Sequence, residues 1–288
     1  MIKIFLTGKT SFIGRNLFEY LSNFLGTYDI YAPSHFELDL TDEEVVTNLL
    51  KVGKFDVVIH AAMYNKIFNN PNMMTESLRI FYNLEKNNEL FGKMYYFGSG
   101  AEFDKTLDIC NVREEDFGHS IPKDYYGFAK YIMSRQATSS NNIYNLRLFA
   151  VFGKYEDWRS KFISNACCHA IFNLPIRIKK NVVFDYMYID DLCEIVRKIL
   201  AITPLYHEYN ICSGNKVDLY SLAQKVIDEK GSKLDILISE SGYKSEYTAS
   251  NKRMLEEIDF EFSEIQVGIH HLYDWYENNI ELIDKSGL

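Results

Sequence analysis

Tyr126 and Lys130 stand four residues apart in the stretch YYGFAK at 125–130. On a helix that spacing puts both side chains on one face, a turn apart. A tyrosine hydroxyl titrates near pKa ~10 in water, so it needs help to act as an acid or base at neutral pH. A nearby ammonium favours the phenolate and brings the group toward its working range. The same lysine can hydrogen-bond the ribose of a nicotinamide. This pairing suits hydride exchange at a carbonyl, with tyrosine giving or taking the oxygen's proton. Ser99, at the end of the apolar run 93–98, adds a hydroxyl able to bind the substrate oxygen beside Tyr126. Tyr82 and Lys86 repeat the spacing in a chain with 21 tyrosines. They precede that run, so they are expected to pack their own helix.

The stretch TGKTSFIG, from Thr7, admits two readings. A phosphate-binding P-loop needs a glycine five residues before the glycine of GKT. That place is Lys3, inside the strand-like run IKIFL. In the other reading Gly8 ends a strand and Gly14 opens a helix, along which Ile13, Leu17, Tyr20, Leu21 and Phe24 recur at helical spacing. Strand, tight turn and helix bring unpaired N–H groups to a dinucleotide pyrophosphate. Ser11 takes the place of the middle glycine.

These residues need a scaffold, and the first half of the chain alternates apolar runs with helical patterns. Strands are expected at 3–6, 29–32, 57–61, 93–98 and 144–148, and helices near 13–25, 42–52, 75–91 and 125–139. Short connections between them imply a parallel sheet covered on both faces, with ligands at the carboxyl ends of the strands. Beyond residue 150 the pattern is irregular, with a strand at 182–188, a helix from Asp190 and a last helix near 263–280. The expected fold class is α/β: a Rossmann-type doubly wound parallel sheet with a smaller C-terminal α/β substrate lobe. The main domain takes 1–150, with 182–204 returning to it; the lobe takes 151–181 and 205–288.

Composition narrows the class. At 288 residues, 47% apolar and with five prolines, the chain can bury a full core. A net charge of −9 without blocks of like charge argues against nucleic acid as a partner. The five cysteines form no CxxC and no metal-ligand spacing with the seven histidines, so no metal is expected. They read as reduced, mostly buried thiols of a cytoplasmic protein. No apolar run reaches membrane-spanning length, and the strand at the N-terminus leaves no room for a signal peptide.

TGKTSFIG, DLTD at 39–42, DVVIHAA at 56–62, YFGSGAEF at 96–103, YYGFAK at 125–130 and FDYMYIDDL at 184–192 follow one another in order. Together they resemble the extended short-chain dehydrogenase/reductases that act on nucleotide sugars, the NAD-dependent epimerase/dehydratase family. NMMTES at 72–77 is most similar to the GDP-fucose synthase branch, whose members reduce a 4-keto-6-deoxy sugar. The resemblance implies that Gly8, Thr10, Ser11, Phe12, Ile13 and Gly14 hold the pyrophosphate. Asp39 and Leu40 would meet the adenine, and Ala61, Ala62 and Met63 the nicotinamide side, where Tyr126 and Lys130 also touch the cofactor. After the second strand no carboxylate appears until Glu37, which favours NADP(H), with Ser34 and His35 near the 2′-phosphate; NAD(H) remains open. Ser99 and Phe149 would face the sugar, and Arg159, Lys161 or Arg253 the diphosphate, which arginine suits best. Family members pair through the helices near 75–91 and 125–139, so a homodimer is expected.

Three departures from the family pattern involve four positions. Gly100 stands where the catalytic Ser/Thr often sits. Ala101 and Lys161 replace the cysteine and histidine that epimerise the sugar in GDP-fucose synthases. Ala150 replaces a sugar-contacting asparagine. Glu102 matches the glutamate that eliminates water in dehydratases, but the aspartate before it is missing. The resemblance thus implies a 4-keto reductase without 3,5-epimerisation, in deoxy-sugar or surface-polysaccharide biosynthesis. The alternatives are a 4-epimerase with tightly held NAD and a dinucleotide-binding sensor without chemistry.

Overall fold

Alternating apolar residues build a six-stranded parallel sheet in the computed structural model, which describes residues 1–64, 71–231 and 233–288. The main-sheet strands and their connections are β1 (Ile2–Thr7), α1 (Phe12–Ser22), β2 (Tyr28–Tyr31), α2 (Glu43–Gly53), β3 (Val57–His60), α3 (Pro71–Glu85) and β4 (Lys93–Ser99). A 3₁₀ turn at Gly100–Phe103 follows, then β5 (Ile109–Val112), α4 (Tyr125–Ser139), β6 (Ile143–Leu148) and β7 (Ala150–Phe152). The rest comprises α5 (Phe162–Ile171), β8 (Ile176–Asn181), β9 (Val183–Tyr188), α6 (Ile189–Leu200), β10 (Glu208–Ile211), β11 (Lys216–Asp218), α7 (Leu219–Lys230), β12 (Ile236–Tyr243), β13 (Tyr247–Ala249), α8 (Lys252–Glu257) and α9 (Ile265–Asn278).

The main sheet runs β10-β6-β4-β3-β1-β2, every pair parallel. Successive side chains of a strand face opposite sides. Ile4, Leu6, Val57, Ile59, Tyr95 and Phe97 accordingly face one core, shared with Leu17 and Leu21 of α1 and Ile195 and Ile199 of α6. Phe5, Val58, Met94 and Tyr96 face the other, with Leu50 of α2, Leu84 of α3 and Met133 of α4. The chain reverses its order of strand addition between β1 and β3, so the loops after those two strands flank the crevice where such sheets bind ligands.

The lobe has its own core, in which Cys167 and Cys168 of α5 meet Leu222 and Val226 of α7 and Ile269 and Leu272 of α9. Its larger sheet runs β11-β9-β13-β5, with β7 also on β9, and β12 pairs with β8. Four of the cysteines are buried free thiols; Cys110 is exposed.

Two boundaries move. β10 joins the main sheet beside β6, and Met254 and Ile258 of the α8 region enter the main core, so parts of 205–288 belong to the main domain. Conversely, in the segment 182–204 α6 and Met187 pack into the main core, while β9 pairs with lobe strands. Among the described residues helix α3 spans Pro71–Glu85, earlier than its apolar spacing implies.

Leu17 is fully buried between α1 and the sheet. Leu17→Ala should cost about 2–5 kcal/mol, read as a lower urea midpoint at unchanged slope.

Candidate active site at the carboxyl ends of β1, β3 and β4

The glycine turn is built by close approach. Gly8 has φ +75°, and a Cβ there would lie 2.7 Å from the backbone of Ala61 and Ala62 at the end of β3. A Cβ on Gly14 would run into the Gly8 carbonyl. Ser11 accepts from the Gly14 N–H at 3.1 Å and caps α1. Its own N–H donates to the Gly8 carbonyl at 2.8 Å. The first-turn N–H groups of Phe12 and Ile13 have no carbonyl of their own helix to reach. This cradle at a helix N-terminus fits a dinucleotide pyrophosphate.

The other expected cofactor residues line the adjoining strand ends. The Ser11 hydroxyl donates to the Ala61 carbonyl (3.4 Å), and the Ala62 N–H donates to Thr7 (3.3 Å). Met63 follows, half-buried, while Thr10 is exposed. Ser34 and His35 lie in the loop after β2. Glu37 turns back there, its carboxylate accepting from the Ser34 N–H at 2.7 Å. Asp39 is engaged by Thr41, and the Leu40 carbonyl accepts from Asn83 of α3. Beneath them buried His60 hydrogen-bonds Thr7 at 2.9 Å. Burial and then the Lys130 ammonium push its imidazole down to about 3, so it stays neutral.

Ser99, Tyr126 and Lys130 come together. Asp124 caps α4 through the Gly127 N–H at 3.0 Å, presenting Tyr126 in the first turn. The Tyr126 hydroxyl hydrogen-bonds Ser99. Burial raises the Tyr126 ionisation above its ordinary value, the Ser99 bond opposes that, and Glu102 and Asp124 add to the rise. Lys130 is buried one turn on. Its ammonium donates to the Phe97 carbonyl at 2.6 Å and lies 4.6 Å from the centre of the Tyr96 ring. Burial brings it down to about 8, against the pull of Glu102. Of the groups that shift Tyr126, the Ser99 hydroxyl is the one that lowers it.

A buried ion pair underlies this cluster. Arg147 donates from Nε to Glu102 at 2.7 Å, both side chains fully buried, and from Nη2 to Glu208 at 2.7 Å. Asn210 accepts from Nη1 at 3.1 Å and Ser134 from Nη2 at 3.2 Å. Glu102 in turn accepts from the Ser99 N–H at 2.8 Å, which fixes the turn after β4. Gly98 leaves the room, because a Cβ there would strike Glu102 and Asn145. Glu102 is thus structural and has no freedom to serve as an eliminating base.

The expected substrate residues divide. Phe149 is buried beside Tyr247, ring centres 5.3 Å apart, and packs with Phe103. Arg159 is exposed, stacked on Trp158 and 3.6 Å from Asp284. Lys161 is exposed at the N-cap of α5. Arg253 sits among Glu114, Glu115 and Glu208 and over Tyr206, committed to carboxylates rather than offered to a phosphate. In the decoy, Lys86 lies past the end of α3 on Glu43 at 2.5 Å, and Tyr82 packs against Phe81. Sequence reasoning missed Arg147 and Tyr247. A bare glycine at position 100 was the available signal that a hydroxyl had to come from elsewhere.

Residues 4–212 match the family described as NAD dependent epimerase/dehydratase. The chain belongs to that family. GDP-L-colitose synthase of Yersinia pseudotuberculosis is 30% identical over 115 residues, which is 37% of this chain and 36% of that protein, so the match spans about a third of the relative's length. A GDP-L-fucose synthetase of Naegleria fowleri bound to NADP superposes with TM-score 0.84 at 15% identity, over 97% of this chain and 94% of that one. A GDP-mannoheptose C4 reductase of Campylobacter jejuni with NADP bound gives 0.78 at 19%, over 96% and 98%. At those identities the structural likeness speaks for the fold, and it agrees with the epimerase/dehydratase membership. Among the described residues no helix is long and apolar enough to cross a membrane.

Two outcomes follow from the buried charges. Glu102→Ala strands part of the Arg147 guanidinium and the Ser99 N–H, and should cost about 3–5 kcal/mol in urea unfolding. His60 binds a proton in the unfolded chain below about 6.5 but not in the fold until about 3. Stability must therefore fall as pH falls through that window, by up to about 1.4 kcal/mol per unit. His60→Gln should flatten this slope when urea midpoints are compared at pH 7 and pH 5.

Proposed function

We propose that this chain is an NADP(H)-dependent reductase of a nucleotide-linked 4-keto-6-deoxy sugar, converting the C4 ketone to an alcohol in deoxy-sugar or surface-polysaccharide biosynthesis. The observation that carries the reading is the Tyr126–Ser99 hydrogen bond, with Lys130 a turn away, beside the glycine cradle. A nicotinamide dinucleotide held by Gly8, Thr10–Gly14, Ser34, His35, Asp39, Leu40 and Ala61–Met63 supplies hydride when bound. Tyr126 gives its proton to the carbonyl oxygen as that oxygen gains charge, and the Ser99 hydroxyl steadies the phenolate left behind. Lys130 keeps a positive charge beneath the pair and would hold the nicotinamide ribose.

Absence of 3,5-epimerisation is part of the proposal. Ala101 is buried and has no group to move a proton, and Lys161 is an exposed helix-cap residue. The names of the colitose synthase and the C4 reductase support a GDP-linked substrate. Arg159 and Lys161 are the residues proposed to meet its diphosphate. Two copies would pair through α3 and α4, which light scattering tests.

Purified protein mixed with NADPH and a panel of nucleotide-linked 4-keto-6-deoxy sugars should consume the reduced-nicotinamide absorbance with at least one. Tyr126→Phe should lower kcat by about 10²–10⁴-fold while leaving NADPH binding intact. Protein that binds NADPH but turns over no sugar would overturn the reductase reading.

A further inference from the structure

Position 100, bare of a side chain, is not empty space. A Cβ on Gly100 would lie 2.5 Å from the Tyr247 hydroxyl and 2.7 Å from the Phe149 ring. Tyr247 belongs to β13, held between β5 and β9 by pairing with Ile109 and Phe184. A lobe strand thus delivers a phenol to the strand-end turn of the main domain, and there the Tyr247 hydroxyl hydrogen-bonds Ser99.

The direction of these bonds follows from counting protons. A serine hydroxyl has one proton to give and two lone pairs to receive. One lone pair of Ser99 takes the Ala101 N–H at 3.2 Å, which fixes the side chain as the cap of the 3₁₀ turn. The other two places go to Tyr126 and Tyr247, one as donor and one as acceptor. In the reductase reading Tyr126 keeps its proton for the substrate, so Ser99 gives its one proton to Tyr126 and receives that of Tyr247. The chain then runs Tyr247 O–H to Ser99, Ser99 O–H to Tyr126, and Tyr126 O–H toward a substrate oxygen. Ser99 has no capacity left to polarise a carbonyl itself.

We propose that Tyr247 is the positioning residue of this site: by donating to Ser99 it turns the serine's single proton toward Tyr126, with a hydroxyl from the lobe standing where position 100 has none. The proposal deepens the reductase reading and rests on it. No proton leaves Tyr247, whose ionisation burial pushes up. The proton that reaches the substrate is that of Tyr126, and the two-step chain stabilises the phenolate that remains.

The first test needs no turnover. With 3,5-difluorotyrosine placed at position 126, ¹⁹F NMR follows its titration in the otherwise native chain and in Tyr247→Phe, whose ring still fills the site. The variant should titrate about half a unit to one unit higher, because the phenolate loses the outer donor. Gly100→Ala, which pushes the phenol away, should do the same. An unchanged titration in both, at unchanged melting temperature and NADPH affinity, would overturn the assignment. In turnover, Tyr247→Phe should lower kcat about tenfold with KM within about twofold, and move the kcat–pH profile the same way. A loss confined to KM would make Tyr247 a substrate contact and overturn the positioning role. If no keto sugar reacts with either protein, the reductase reading fails, while the titration still decides Tyr247.

Discussion

The Glu102–Arg147 pair is the constraint around which the site is arranged. It joins the turn after β4 to β6, reaches β10 through Glu208 and Asn210, and touches α4 through Ser134. Two fully buried charges add little net stability, since desolvation offsets most of their attraction. Their contribution is definition. Every donor of the guanidinium that is paired has one acceptor in one place, so the strand end that carries Ser99 has one position relative to the helix that carries Tyr126. The polar cluster of Arg253, Glu114 and Glu115 extends the same network outward along β10.

Much of the main domain was legible because its signals are local. A strand buried on both faces reads as an apolar run, as β3 and most of β4 do. Gly8 and Gly14 announce a backbone approach that only glycine permits, and Tyr126 and Lys130 need only a helix to meet. Strand β10 was not legible: Glu208-Tyr-Asn-Ile alternates polar and apolar residues over four positions, and its polar members serve the buried guanidinium. The division of the lobe failed for a related reason. Most of its strands are short, several are half-exposed, and β9 takes its partners from three other segments of the chain.

Side-chain roles separated along the same line. Those set within one turn of chain, such as the Ser11 cap and the Asp124 cap, follow from spacing. Those set by tertiary pairing do not. Arg253 looked like a phosphate ligand because an arginine's partners cannot be read from its neighbours in sequence, and three carboxylates from two other segments claim it. Lys130 was expected to act on Tyr126, and the carbonyl of Phe97 competes for its ammonium across the helix–strand interface.

The filled space above Gly100 bears on how such chains are sorted. A motif is a statement about one stretch of sequence, whereas a functional group is a statement about a point in space. When a hydroxyl arrives from β13, the strand-end stretch is released from carrying it and can drift to glycine without leaving that point bare. A search that scores only the local pattern would not see a hydroxyl delivered in this way. The packing of Tyr247 against Ser99 argues for scoring the occupied volume instead.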